Sequence, residues 1–300
     1  MIIRIDQNTQ HFPIYFHRAR VWGYFVRETR GIEPTYLVHR HSYRTAETLL
    51  PGEAVHRCGD DVEGQIEKTL QLAGRDREIY CHFGDSYECL RDKRLMLRFK
   101  KVLFFGTPGE HTIHCHCLIN GDLHAKLETY HTSSKTHLLT GSAFAFPASY
   151  VSDFRADDDS ACLFLYRKPE LVVCEILQGA FRDLNIPLTI YEPTDQLKYP
   201  RFDQHRFVCT DADTHLQELC LLSNRLLVFA GNRNQLKSCY AFSVSGQGQS
   251  LGWIPALGRQ ELVKNIQNFM LALKRKKKNM GETHPSTLER IFKMTLGDRS

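Results

Sequence analysis

The chain has 300 residues, 42% hydrophobic and 24% charged, with a formal net charge of +5 and a pI near 8.6. That is ordinary globular composition, long enough for one large domain or two modest ones. It excludes low-complexity chains and short disulfide scaffolds.

Ten cysteines without a CxxC pair read as reduced thiols in a cytoplasmic setting. The start, "MIIRIDQNTQHF", carries Arg4 and Asp6 and lacks an apolar h-region, so no signal peptide is expected. No apolar run reaches the length needed to span a bilayer. Residues 1–59 read as a strand-rich extension, because "PIYFHRARVWGYFVRE" and "PTYLVHRHSYR" alternate aromatic and basic positions. "DDVEGQIEKTLQLAG" then reads as a capped amphipathic helix, "REIYCHF" as a strand, "SYECLRDKRLMLRF" as a helix and "KKVLFFG" as a buried strand. "HTIHCHCLI" and "LHAKLETYH", joined by Asn-Gly-Asp, predict a hairpin. "THLLTGSAFAF" and "ACLFLY" follow as strands, "PELVVCEILQGAFRDL" as a helix and "IPLTIYEP" as a strand. Alternating helices and strands predict an α/β fold.

The same order recurs further on. "THLQELCLLSNRLLVFAGNRNQ" parallels "LHAKLETYHTSSKTHLLTGSAF", "CYAFSV" stands where "ACLFLY" stood, and "ELVKNIQNFMLAL" matches "ELVVCEILQGAF". The expectation is therefore an α/β protein of two related halves, residues 60–186 and 187–280, each a mixed β-sheet flanked by helices. The N-terminal strands precede them and a tail, 281–300, follows.

The first copy contains His124, Lys126, Gly141 and Ser142; the second contains His215, Gly231, Asn232 and Asn234. Residues i and i+2 of a strand share a face, so His124 and Lys126 reach one spot; a solvent-facing strand pair is the plainer reading of them. The pattern resembles the phospholipase D superfamily, whose signature is His-x-Lys, a spacer, then Gly-Ser-x-Asn. Phe144 replaces the asparagine in copy one and Gln217 the lysine in copy two, which marks the second motif as degenerate. The resemblance implies a metal-independent phosphodiesterase, of the nuclease branch, that needs no cofactor. One histidine attacks to give a phosphohistidine and the other protonates the leaving group. Lys126, Ser142, Asn232 and Asn234 hold the non-bridging oxygens, with Gln217 at the substrate.

Lys274, Arg275, Lys276, Lys277 and Lys278 end the last predicted helix, and Arg18, Arg20, Arg27, Arg30, Arg40 and Arg44 lie among aromatics. Together they point to nucleic acid as the partner. Three alternatives stay open: a phosphatidyltransferase or phospholipase on anionic phospholipid, a decayed nucleic-acid-binding or scaffold protein, and a homodimeric site. A competing metal reading uses His114 and His116 with Tyr130, although a satisfied sheet pair fits those histidines better.

Overall fold

The computed structural model describes residues 1–6, 12–75, 77–84, 88–107, 109–121, 125, 129–146, 160–165, 171–191, 205–212, 225–245, 248–276 and 287–297. They divide into two compact units. The first comprises Met1–Gly121, Ala125–Phe146 and Pro285–Ser300; the second comprises Asp122–His124 and Pro147–His284.

The first unit begins with β1 (Ile2–Ile5), α1 (Phe12–Arg30), β2 (Thr35–Val38), α2 (Tyr43–Leu49), β3 (Ala54–Arg57) and α3 (Val62–Ala73). It continues with β4 (Ile79–Phe83), α4 (Glu88–Arg91), α5 (Arg94–Arg98), β5 (Lys101–Phe105), β6 (Cys117–Asn120) and β7 (His137–Thr140). These strands form a seven-stranded sheet in the order β3-β2-β1-β4-β5-β6-β7, with every pairing parallel. β1 and β4 are buried along their whole length, which is why both read as near-continuous apolar runs.

The second unit holds β8 (Ala161–Phe164), α6 (Leu171–Asp183), β9 (Leu188–Tyr191), β10 (Phe207–Asp211), β11 (Leu226–Ala230), α7 (Leu236–Ser245), β12 (Gln249–Trp253) and α8 (Arg259–Lys276). Its sheet is again parallel, in the order β12-β11-β10-β8-β9. A final helix, α9 (Thr287–Leu296), belongs to the first unit, where Phe292 packs on Trp22 and Phe25.

The α/β class holds, but several expectations are corrected. Residues 1–59 are not an appended extension, because β1 is a central strand of the larger sheet. "PIYFHRARVWGYFVRE" is helical. Its buried residues Tyr15, Ala19, Trp22 and Val26 recur at helical spacing, and the aromatic–basic alternation masked that stripe. Asn120-Gly121-Asp122 does not close an antiparallel hairpin on β6, since both edges of β6 are taken by parallel strands, β5 and β7, and most of the expected second strand lies outside the described residues. Gly121 answers to packing instead, because a Cβ there would lie 2.6 Å from Ala145 Cα.

The two mixed-sheet halves are absent as well. The first proposed half supplies β4–β7 to one unit and β8 and α6 to the other, so it is not one folding unit, and both sheets are wholly parallel. α6 and α8, taken as equivalent helices, lie in the same unit and bury Val173, Leu177, Phe181, Leu262, Ile266 and Phe269 in one core. Two helices that cover one sheet need similar apolar stripes, and this produced the apparent repeat. "CYAFSV" lies within α7 rather than a strand.

Candidate functional site

In open parallel sheets, ligands bind outside the carboxyl ends of the strands where the strand order reverses. In the first unit the reversal lies at β1, with β2 on one side and β4 on the other. The β1–β4 register sets Arg4 beside His82, on the face that α3 and α4 cover with Gln65 and Cys89. Arg4 Nε donates to Asp6 Oδ1 at 2.9 Å and Arg4 Nη2 to Gln65 Oε1 at 2.7 Å. His82 Nε2 meets Asp6 Oδ2 at 2.6 Å, while its Nδ1 lies 3.1 Å from Tyr80 Oη and 3.6 Å from Cys89 Sγ.

All of these groups are buried. Gly84 permits the approach of the two strand ends, because a Cβ there would sit 2.5 Å from Asp6 Cβ. A cavity of about 210 Å³ opens at this edge, lined by Arg4, Ile5, Asp6, His39, Cys58, Gln65 and Glu88. Arg4 Nη1 is buried without a hydrogen-bond partner.

Burial alone would discharge these groups, yet their mutual contacts overcome it. Burial raises the Asp6 carboxyl, but Arg4 and His82 bring it below the usual carboxylate range. Burial lowers His82, but Asp6 and Cys89 carry it up to about 9, so the imidazole is an imidazolium at neutral pH. Burial, together with the charge of His41, lowers His39, which stays neutral on the cavity wall. Burial raises the Cys58 thiol, which stays protonated.

In the second unit the reversal lies between β8 and β10. Asp211, buried at the end of β10, accepts from Gln235 Nε2 at 3.0 Å. Gln235 Oε1 in turn accepts from Gly231 N at 2.8 Å and Asn232 N at 3.3 Å. Asn232 Oδ1 accepts from Gln235 N, completing a capping box ahead of α7. The exposed Arg233 guanidinium lies over the Trp253 ring, 5.5 Å from its centroid.

His124, Lys126, His215, Gln217, Lys277 and Lys278 lie outside the described residues, as do the side chains of Ser142, Lys274, Arg275 and Lys276. Asn232 is the cap just described, and Asn234 is exposed in the same turn. Tyr130 donates to Ala125 O at 2.7 Å and accepts from Asn120 Nδ2, while His116 Nδ1 accepts from Val102 N at 2.9 Å. Among the described residues no cluster of histidine, cysteine and carboxylate ligands could hold a metal.

Four of the six N-terminal arginines are engaged within the protein, while Arg20 and Arg44 are exposed. Arg18 is buried, Arg27 pairs with Glu33 and Glu53, Arg30 lies over Phe292, and Arg40 pairs with Asp60. The Arg4–Asp6–His82 cluster was missed from the sequence. Its signal was a charged side chain inside each of two buried strands, "IIRI" and "IYCHF".

No sequence-family model and no curated protein matches the chain. Solved structures match it along nearly its whole length. MurG of Acinetobacter baumannii superposes with a TM-score of 0.56 at 9% identity over 98% of both chains. The glycotransferase of kitacinnamycin gives 0.53 at 10% identity, over 99% of this chain and 98% of that one. The spinosyn rhamnosyltransferase SpnG, complexed with thymidine diphosphate, gives 0.51 at 10% identity, over 98% and 99%. The chain shares the fold of those structures, with two Rossmann-like parallel-sheet units.

That fold overturns the phospholipase D resemblance. With it go the phosphodiesterase and nuclease activity and the phosphohistidine step, which rested on the paired motifs, and the nucleic-acid and phospholipid partners, which rested on that activity and on the basic clusters. Among the described residues no helix is long and apolar enough to cross a membrane.

Proposed function

We propose that the chain transfers a glycosyl group from a nucleoside diphosphate sugar to an acceptor hydroxyl. The observation that carries the reading is the superposition of nearly the whole chain on glycosyltransferases, one of them holding thymidine diphosphate. The reversal of strand order in each unit supports it, since it gives each sheet one carboxyl-edge site.

In such a transfer the bond between anomeric carbon and phosphate oxygen breaks, the acceptor oxygen bonds to that carbon, and the acceptor proton leaves. The developing diphosphate charge suits the carboxyl edge of the second unit, where Arg233 and the positive end of α7 follow β11. Asn232 and Asn234 flank that position in the same turn. The proton needs a neutral base near the acceptor. His82 is unsuited, because it is already protonated and both its nitrogens are engaged. His39 is neutral and lines the cavity of the first unit, so it is the base in this reading.

Calorimetric titration of thymidine, uridine, guanosine, adenosine and cytidine diphosphates tests the donor side. At least one should bind with a micromolar Kd that Arg233→Ala weakens about tenfold, the loss of one charge-assisted contact. Failure of all five to bind below about 1 mM, a weak-binding threshold of roughly −4 kcal/mol, would overturn the reading.

A further inference from the structure

A second cavity of the first unit, about 420 Å³, lies at the amino edge of the sheet, where β4 begins at Ile79 and β5 at Lys101. The opposite, carboxyl edge is the length of β4 away, about 13 Å at roughly 3.3 Å per residue. α1 and α9 end beside the cavity, at Arg30 and Leu296. Its apolar lining comes from Ile32, Ile79, Phe292 and Leu296, and its charged lining from Arg30, Lys100, Lys101 and Glu78.

The charges are unevenly matched. Lys100 pairs with Glu78. Among the described residues the side chains of Arg30 and Lys101 have no carboxylate partner. The Arg30 guanidinium lies over the Phe292 ring, 4.4 Å from its centroid. That contact uses the guanidinium face and leaves its N–H edge able to fork a carboxylate. The carbonyl ends of α1 and α9 attract cations to this edge, but each carries only about half a charge. Gly31, Ile32 and Gly297 already donate to carbonyls there. Lys101 opens a strand, so no helix end requires it. With both helix ends counted, the cavity keeps an excess of about one positive charge.

A cation here would meet three others. A neutral apolar molecule would shield Arg30 and Lys101 from water without replacing it. A small inorganic anion would leave the apolar lining wet, and exposed ion pairs alone bind weakly. The volume is that of a small-molecule site. We propose that this cavity binds an organic monocarboxylate with a hydrophobic body, a fatty or aryl acid. Arg30 and Lys101 hold its carboxylate, and Ile32, Ile79 and Leu296 cover its body. The site stands apart from the carboxyl edges, so the acid neither gives nor takes a glycosyl group, and the inference does not rest on the glycosyl-transfer reading.

Calorimetric titration of the full chain with octanoate tests it, with octanamide and acetate as controls. Octanoate should bind with a Kd below about 1 mM. Octanamide lacks the charge, and acetate lacks the methylenes, each of which contributes roughly fourfold when buried. Both should bind at least about tenfold more weakly. Arg30→Gln and Lys101→Gln should each weaken octanoate about tenfold. Tm should stay near that of the parent, because Arg30 is exposed and Lys101 is half-buried at the first residue of its strand. Lys264→Gln removes an exposed cation from the second unit and should change nothing.

No octanoate binding below about 1 mM, equal binding of octanamide or acetate, or an affinity indifferent to Arg30→Gln or Lys101→Gln would overturn the proposal. An equal loss in Lys264→Gln, the mark of unspecific charge attraction, would do the same. A saturating nucleoside diphosphate should leave the octanoate affinity unchanged, and mutual exclusion would put the acid at a carboxyl edge and sink the assignment. Nucleoside diphosphate binding without octanoate binding would leave the glycosyl-transfer reading standing. Octanoate binding with no nucleoside diphosphate binding would remove that reading and leave this one.

Discussion

The two units solve one problem with different chemistry. Each must hold two neighbouring strand ends together at the carboxyl edge of a parallel sheet. The first does so with a buried ionic network, Arg4–Asp6–His82, and the second with amide hydrogen bonds from Gln235 to Asp211, Gly231 and Asn232. An ionic network is sensitive to the loss of any one member, because the survivors become uncompensated charges. An amide network loses hydrogen bonds one at a time. The first unit should therefore respond to single substitutions and to pH more sharply than the second.

The protein supplies its own reporters for that difference. It has two tryptophans, Trp22 in the first unit and Trp253 in the second. Trp253→Phe and Trp22→Phe backgrounds make each unit's denaturant unfolding readable by fluorescence.

The largest expected effect is that of Asp6→Ala. It strands the Arg4 guanidinium and the His82 imidazolium in the core, and breaking a buried pair in this way costs about 3–5 kcal/mol. The Trp22 transition should move to lower denaturant by that amount, with the Trp253 transition little changed. An equal shift in both signals would mean that the units do not respond separately. A shift below about 1 kcal/mol, the scale of an exposed pair, would mean that the network carries no buried charge.

The next effect is alkaline sensitivity. The folded pKa of His82, about 9, lies above its ordinary value of 6.5, so protonation favours the folded state. Its contribution is complete below about pH 6.5 and is lost as pH rises through 9. At 1.36 kcal/mol per unit that loss is about 3 kcal/mol. Asp6 acts in the opposite sense, since its carboxyl is depressed, and its contribution fades as pH falls below the ordinary carboxylate range. Stability of the first unit should hence be greatest between about pH 4 and 6.5. His82→Gln should abolish the alkaline limb in the Trp22 signal; persistence of that limb would assign it to another group.

How far these features could be read from the sequence follows from their physics. α3 was legible because Asp61 caps it, accepting from Gly64 N at 2.7 Å, and Gly74 ends it at a positive φ of 55°. Both signals are local. β4 and β5 were legible because strands buried on both faces read as near-continuous apolar runs. α1 was hidden because its basic residues fall between aromatics, so a two-residue alternation overlies the helical stripe. The strand order was not legible at all. It depends on which strands pair, and nothing local in "THLLT" or "CLIN" declares that β6 and β7 run parallel. The site failed for a related reason: Asp6 and His82 are 76 residues apart and meet only through the β1–β4 register.

Gln235→Ala should be milder than either change in the first unit. It removes the donor to Asp211 and the acceptor for Gly231 N and Asn232 N, at about 1–3 kcal/mol for the groups left unpaired. The Trp253 transition should register it and the Trp22 transition should not. A loss as large as that of Asp6→Ala would erase the contrast between ionic and amide networks.

The smallest effect is at Asn232, where stability and ligand binding can be separated. Its side chain accepts from Gln235 N and so caps the turn that leads into α7. Asn232→Ala removes the cap at about 1 kcal/mol. Asn232→Asp retains an equally good cap, so the Trp253 transition should stay within about 0.5 kcal/mol of the parent, the usual scatter of neutral surface changes. The two variants should then part in ligand titration. The alanine variant should hold a nucleoside diphosphate with affinity reduced only by the loosened turn. The aspartate variant places a negative charge beside the expected diphosphate, with the Arg233 guanidinium one residue away, and should bind about tenfold more weakly than alanine despite its better fold. Equal affinity in the two variants would place the diphosphate away from the β11–α7 turn, whereas the stability difference between them would still report the cap alone.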